Sequence, residues 1–401
     1  MPFRAAVVGA GPAGLMAAET LAAADIEVNV YERMPSPARK FLMAGRGGLN
    51  LTHSEPIDLF MSRYGDAAGW LQGPVRTLSP DGLRAWADVL GEETFVGSSG
   101  RVFPKSFKAT PLLRAWLRRL DAMGVNLKTR ALWCGWNEAG ALVFADGTTC
   151  VDADVTVLAL GGASWPRLGA DGNWVDILSN RGVSVSALVA SNAGVNCNWS
   201  DLTRERFAGA PLKRIALTLN DRTVRGEAVI AATGLEGGAV YALSREIRAG
   251  LAAGDCTLML DLRPELSAGQ LSDRLARVPR KQSLSNRLRK GGGLSPQETS
   301  IWRDYVPTPL PDTDQAIAES IKQLCIPILG IQPLDRAIST AGGIERGQVD
   351  EHFMLNQLPG VFVCGEMLDW DAPTGGYLLQ GSFATGHAAG LGAINYLQGK
   401  T

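Results

Sequence analysis

Apolar residues run from Phe3 to Val8, stop at a glycine cluster, resume with helical spacing from Ala13 to Ala24 and return as a second run from Glu27 to Tyr31. This pattern predicts strand, helix and strand in immediate succession. Ser79-Pro80 predicts a helix to Leu90 and Thr110-Pro111 another to Met123, each opened by a hydroxyl cap with Pro in the first helical position. From Asn126 to Val151 the pattern shortens to strands separated by turns at Asn137 to Gly140 and Asp146-Gly147, which predicts a β-meander. Val155 to Leu160 reads as an apolar strand ending in Gly161-Gly162, and Val361 to Cys364 as another, followed by Gly365-Glu366. A helix carrying Gly386 and Gly390 is predicted from about Ser382 to Tyr396.

Between about Ser191 and Ala341 the character changes. Arg214 to Leu219 and Thr257 to Leu262 alternate as strands of a small β domain do, and Leu266 to Arg289 reads as helical and basic. A chain of 401 residues exceeds what one compact core usually holds. The pattern therefore predicts an α/β domain formed from residues 1–190 and 342–401, interrupted by an inserted α+β domain over residues 191–341.

The first turn carries the most specific chemistry. Gly9-Ala10-Gly11-Pro12-Ala13-Gly14 joins the first strand to its helix, and Glu32 closes the second strand eighteen residues after Gly14. Gly9 permits the tight turn, Gly11 removes a Cβ where a pyrophosphate approaches, and Gly14 lets helix and strand pack closely. The helix start presents unpaired N–H groups to phosphate, and Glu32 is placed to accept hydrogen bonds from a ribose diol. No Arg replaces Glu32 to receive a 2′-phosphate, which excludes NADP at this turn more firmly than it separates FAD from NAD. A secretory signal is the competing reading of Arg4 and the Ala-rich stretch to Ala24. Glu19 interrupts that stretch, and the glycines stand where the turn needs them.

Composition narrows the chemistry. The 39 basic and 40 acidic residues leave a net charge of −1, so no global field draws the chain to nucleic acid or anionic lipid. No apolar run approaches the roughly 18 residues of a membrane span. Six scattered cysteines without a CxxC pair predict reduced, buried thiols in a cytoplasmic protein. The three histidines, His53, His352 and His387, lack metal-ligand spacing, and Ser164 lacks the following glycine of a nucleophile elbow. Arg274, Arg277, Arg280, Lys281, Arg287, Arg289 and Lys290 form a basic run, read either as a solvated helix face or as an RNA-binding surface. Arg39 to His53 reads as a glycine-bearing loop whose backbone lies against a flat or anionic ligand.

Several motifs in order resemble the BaiN/YhiN-type flavoproteins over nearly the whole chain: the first turn with Glu32-Arg33, the loop Arg39 to His53, Gly100 to Ser106, Leu158 to Gly162, Ala341-Gly342-Gly343, and Gly365-Glu366 through Gly375-Gly376-Tyr377. The resemblance implies a Rossmann-like FAD-binding domain of the glutathione-reductase type, interrupted by a small β-barrel plus helices, with FAD held non-covalently. Family members read Ser-Gly-Gly-Gly-Arg-Cys-Asn where this chain has Ala44-Gly45-Arg46-Gly47-Gly48-Leu49-Asn50, so chemistry ascribed to the family cysteine is not carried over.

Carried over residue by residue, the resemblance implies cofactor contacts from Gly9, Gly11, Pro12, Ala13, Gly14, Glu32 and Arg33 at the ADP half, with Leu132 holding adenine by its backbone. Lys40, Gly45, Arg46, Gly47, Asn50 and Thr52 belong to the cofactor loop, beside Leu160, Gly161 and Gly162. Gly365, Glu366, Asp369, Gly375, Gly376, Tyr377 and Leu378 fall at the ribityl and flavin end. His53, Glu366 and Tyr377 are the acid or base candidates, and Trp370 is a candidate aromatic wall. The implied activity is an FAD-dependent oxidoreductase acting on a small organic substrate between the two domains, an amine or aminoketone among the candidates. Wider family members include bile-acid reductases and ribosomal-RNA dihydrouridine synthases, so an RNA-modifying flavoprotein is the alternative. No second GxGxxG between strand and helix follows, which leaves NAD(P)H only as a transient electron donor and oxygen or another molecule as acceptor.

Overall fold

The computed structural model describes residues 3–45, 47–150 and 153–400. The chain divides into two compact units, Met1–Val189 with Ser339–Thr401, and Ala190–Ile338.

The first unit is organised on a five-stranded parallel sheet. Its strands are β1 (Arg4–Val8), β2 (Glu27–Glu32), β3 (Asn126–Thr129), β4 (Val155–Leu158) and β5 (Val361–Val363), in the order β5-β4-β1-β2-β3. The pairings of β1 with β2 and β4, of β4 with β5, and of β2 with β3 are all parallel. Helix α1 (Pro12–Ala22) follows the first turn. Near-continuous burial of β1, β4 and β5 explains their apolar runs, because a parallel sheet covered on both faces leaves no solvent side.

The C-terminal segment returns to this sheet through β5 and then packs α2 (Tyr377–Gln398) against α1. Two glycines make that crossing close. A Cβ at Gly386 would stand 2.2 Å from the Ala13 carbonyl oxygen, and one at Gly390 would stand 2.8 Å from Thr20 Cβ. His387, on the same helix, has its Nδ1 3.0 Å from Thr20 Oγ1, which itself donates to the Met16 carbonyl. Thr20 has one proton, so Nδ1–H is the donor of that pair. Burial holds the His387 pKa below its usual value.

Three expectations change in this unit. Asn126–Thr129 is not part of the meander but the outer strand β3 of the parallel sheet. The meander is built from Trp133–Trp136, Leu142–Phe144 and Thr149–Cys150. Its alternating exposure makes an edge strand look like a meander strand. Arg39–Ala44 is a short helix rather than loop, and the chain re-enters a sheet at Thr52–His53. The helix expected to start at Thr110-Pro111 spans Ala109–Ala122 with Lys108 before it and no side-chain cap. Pro111 is tolerated because the first turn's N–H groups have no helical partner anyway. By contrast, Ser79 caps Pro80–Val89 by accepting from Gly82 N–H, as expected.

The second unit contains a seven-stranded antiparallel sheet with its own apolar core. Strands Pro211–Leu219 and Arg222–Ala231 form its central hairpin. The basic segment is two helices, Ala268–Ala276 and Leu284–Lys290, rather than one. Pro279 lies between them, where it disfavours helix at the preceding residue, and the Ser283 hydroxyl caps the second. Arg287 is buried and paired with Asp314, so it is a structural ion pair and not part of a solvated face. Cys197, Cys256 and Cys364 are buried as expected, whereas Cys134 and Cys325 are exposed. Among the described residues no helix is long and apolar enough to cross a membrane.

Candidate functional site

A cleft open to solvent lies in the first unit at the C-terminal edge of the parallel sheet. The ends of β1, β4 and β5 converge there, as ligand sites of open α/β sheets do. It is lined by Val8 to Ala13, Tyr31 to Arg33, Ala38 to Phe41, Ala131 to Trp133, Ala159 to Gly161, Leu168 to Asp171, Asn173, Trp174, Ile177, Cys364 to Glu366 and Ser382.

Each glycine of the first turn has a different steric surrounding. Gly9 adopts φ +105°, and a Cβ on it would lie 2.2 Å from the Ala159 carbonyl oxygen. A Cβ on Gly14 would lie 1.9 Å from the Gly9 carbonyl oxygen. Around Gly11 a Cβ would meet nothing within 4 Å, so this glycine leaves space in the cleft and is not required by packing. Gly11 is also the N-cap of α1 and offers no side chain to its first-turn N–H groups, and no acidic residue stands there. The positive end of the helix dipole therefore faces the cleft without a protein counter-charge of its own.

Glu32 closes β2 with its carboxylate already ordered. Oε2 accepts from Ala10 N–H at 3.1 Å and Oε1 from Met34 N–H at 2.8 Å. Burial pushes its pKa above the usual carboxylate range, with those hydrogen bonds and Arg33 and Arg39 acting in the opposite direction. Arg33 pairs with Asp171, and both line the cleft.

Near the other end, Lys40 Nζ lies 2.7 Å from Glu366 Oε2 and 2.5 Å from Ser164 Oγ. Glu366 Oε1 accepts from Thr340 N–H at 2.9 Å, and Thr340 Oγ1 accepts from the N–H groups of Ala163 and Ser164. This network ties the turn after β4 to the turn after β5. Gly365 closes the junction with α1, since a Cβ there would stand 2.8 Å from Ala13 Cβ. Arg39 Nε and Trp133 Nε1, both on lining residues, are buried nitrogens without a hydrogen-bond partner among the described residues. So is the side-chain oxygen of Asn50, which does not line the cleft.

Of the expected site residues, Gly9, Gly11, Pro12, Ala13, Glu32, Arg33, Lys40, Leu132, Leu160, Gly161, Gly365 and Glu366 meet in this cleft. Gly14, Gly45, Gly47, Asn50, Thr52, Gly162, Asp369, Gly375, Gly376, Tyr377 and Leu378 lie outside its lining, and Arg46 lies outside the described residues. Gly14 packs beneath the turn, Gly162 beside Thr340, and Gly45 against Ala109. Thr52 is buried and donates to Gln380.

His53 and Tyr377 come together away from the lining. Their rings stack with centroids 5.4 Å apart. His53 Nδ1 accepts from Glu55 N–H at 3.2 Å, which leaves Nε2–H to donate to the Ser99 carbonyl at 3.0 Å. Tyr377 donates its hydroxyl to Glu55 at 2.6 Å, and Glu55 in turn receives two hydrogen bonds from Arg63. Burial and the adjacent carboxylate raise the Tyr377 pKa above its usual value. Trp370 is corrected as an aromatic wall. It is buried, donates to the Gly365 carbonyl and packs against Gly381, so its ring fills the core instead of facing a ligand.

Sequence reasoning missed Asp171, Asn173, Trp174 and Ser382 as lining residues. Trp174 donates to the Gly161 carbonyl, and Asp171 meets Arg33 across 138 positions. No local motif marks such long-range partners.

The comparisons with known proteins agree with this architecture. The chain is 25% identical to the 3-dehydro-bile acid delta(4,6)-reductase of Clostridium scindens, an alignment that covers 97% of this chain and 98% of that protein. It is 22% identical to the ribosomal RNA dihydrouridine synthase of Escherichia coli K12 over 96% of each chain. Among solved structures, a flavocytochrome c3 fumarate reductase matches with a TM-score of 0.53 and 15% identity, over 98% of this chain and 78% of that one. These structural matches establish the fold. The model of the HI0933-like protein Rossmann domain matches residues 3–392, and the chain belongs to the HI0933-like family.

Proposed function

We propose that the chain is an FAD-dependent oxidoreductase that exchanges two electrons with a small organic substrate. The single observation that carries this reading is the cleft at the sheet edge, where Gly11 leaves space above an uncapped helix start and both chain termini contribute lining. The residues present fit the cofactor: an opening at Gly11 above the helix start, an ordered carboxylate at Glu32, and the unpartnered donors Arg39 Nε and Trp133 Nε1.

When bound, FAD supplies the two-electron chemistry at flavin N5, and the protein supplies placement and electrostatics. The first turn of α1 would hold the pyrophosphate, Glu32 would accept from the ribose diol, and the backbone at Leu132 would receive the adenine. Lys40 and Glu366, fixed by Ser164 and Thr340, orient the ribityl end. By the family resemblance, residues 375–378 and the loop residues 45 and 47–52, which lie outside the cleft lining, would stand at the flavin end. Non-covalent binding is supported by Cys364, whose buried thiol lies 3.8 Å from the Leu158 carbonyl oxygen and whose pKa burial raises well above the ordinary thiol value. Of the four catalytic candidates, only Glu366 lines the cleft. The His53 ring and the Tyr377 hydroxyl are committed to protein partners and act first by holding the 375–378 turn.

Anaerobic addition of NADH, NADPH, amines, an aminoketone and a 3-dehydro bile acid to the purified protein tests this reading. At least one of them bleaches the oxidised-flavin absorbance if the chain is an oxidoreductase. Bleaching by dithionite alone would reduce the chain to a flavin carrier. NADH or NADPH is expected to act as a transient donor, and oxygen or another acceptor to restore the colour.

A second reading, an RNA-modifying flavoprotein, is favoured by the exposed cations Arg274, Arg277, Lys281, Arg289 and Lys290 and by the relative named for ribosomal RNA. RNA binding that falls steeply with salt and vanishes when these five are neutralised would select it.

A further inference from the structure

A second surface of the first unit presents partly exposed aromatic rings. Strands Thr52–His53, Arg101–Pro104 and Thr94–Val96 form a three-stranded antiparallel sheet. Thr52 pairs with Val102 and Val102 with Val96, and the first two of these are fully buried, so this face looks inward. On the opposite face His53 pairs with Arg101 and Phe95 with Phe103, and side chains two apart along a strand share that face.

This outward face is apolar and aromatic. Phe103 stacks with Phe107 at 4.9 Å, and Phe95 lies 5.8 Å from Phe103 and 6.2 Å from Phe107, all within 30° of parallel. Phe95 is 38% exposed and Phe107 44%. Phe107 holds φ +61°, which L side chains rarely adopt. Its ring lies where a Cβ of Gly48 would come within 2.3 Å, so the cofactor loop rests directly on the stack. Beside the rings, Arg101 is exposed and its guanidinium has no ion-pair or hydrogen-bond partner among the described residues. Lys105, by contrast, is tied to Glu93.

We propose that this face binds the planar ring system of an aromatic carboxylate, with the rings on Phe95, Phe103 and Phe107 and the carboxylate on Arg101. The proposal rests on the flavoprotein reading, since it makes this face the substrate platform at the flavin end. Charge complementarity chooses the occupant: an unpaired guanidinium beside a phenyl tile matches one planar acid. His53, stacked on Tyr377 at 5.4 Å, continues the face toward the 375–378 turn and delimits the ligand on that side.

Calorimetric titration of the FAD-loaded full chain with 2-naphthoate, 2-naphthylmethanol and cyclohexanecarboxylate tests it, with flavin absorbance followed in parallel. The naphthoate is expected to bind most tightly. Arg101→Gln should weaken naphthoate roughly tenfold, the scale of one charge-assisted hydrogen bond, and leave the neutral alcohol unchanged. Phe95→Ala should weaken both naphthyl compounds and spare the flavin content. Equal binding of naphthoate by wild type and both variants overturns the proposal. So does naphthoate binding no better than cyclohexanecarboxylate, or no binding beside association with vesicles or with a second copy. A chain that binds naphthoate in this pattern yet carries no flavin would refute the cofactor reading, and with it the substrate role of this face, while leaving its binding of the acid established.

Discussion

Two glycine turns contribute to the first unit, and they use their missing side chains in opposite ways. At Gly9 to Gly14, the outer two glycines are demanded by backbone packing while Gly11 opens onto the cleft. At Gly375-Gly376 the space is already taken. A Cβ on Gly376 would lie 2.5 Å from Thr52 Cα, and one on Gly375 would lie 2.8 Å from the Tyr377 ring. The second turn is also fastened from outside: Tyr64 donates to the Tyr377 carbonyl at 2.8 Å, and Tyr377 reaches the Glu55–Arg63 pair. A glycine pair is thus no signature of a ligand by itself. What distinguishes the two turns is whether anything of the protein occupies the absent side chain's volume.

Substitution separates the two cases. Gly14→Ala and Gly376→Ala should both lower stability by about 3 kcal/mol or more, because each added methyl group meets fixed backbone. Chemical denaturation read by circular dichroism measures this, and a loss under about 1 kcal/mol would break the packing half of the comparison. Gly11→Val should cost only about 1 kcal/mol, through the poorer N-cap, while weakening FAD roughly 100-fold, the effect of a side chain where phosphate must approach. A variant that keeps wild-type affinity would remove Gly11 from the cofactor site.

Smaller effects sharpen the same contrast. Glu32→Gln keeps the side-chain shape but removes the charge and turns one of its two acceptors into a donor facing a backbone N–H, and should weaken FAD about tenfold, measured by fluorescence titration of the deflavinated protein. Acid should reach the other turn through Glu55. Burial would raise the Glu55 pKa, but the Arg63 and Tyr377 hydrogen bonds outweigh it and hold the value below 4.5. Glu55 therefore contributes stability that is present above its unfolded-state pKa and lost as pH falls through the lower folded value. Glu55→Gln should flatten the acid limb of the stability profile, and an unchanged limb would show that this pair does not secure the 375–378 turn.

Much of this was legible in the sequence because it rests on short-range rules. The first strand, helix and second strand follow from run length, glycine spacing and Glu32, and β4 and β5 from apolar runs that only a doubly covered sheet explains. What escaped was set by partners far away in the chain. Asn126–Thr129 alternates like a meander strand and joins the parallel sheet only because β2 offers an open edge. Trp370 looked like a ligand wall because sequence does not show that Gly381 receives its ring. Arg287 belonged to a basic run until Asp314 met it. The outward face with Phe95, Phe103 and Arg101 exists only through strand register, which no single segment announces.

The measurement that bears most directly on the central claim is the cofactor content of the purified full chain, read from its visible spectrum and from what acid precipitation releases. The account predicts a yellow protein carrying stoichiometric FAD that leaves intact in the supernatant, and a folded, colourless Gly11→Val variant. A colourless wild-type chain that takes up NAD and refuses FAD would contradict it.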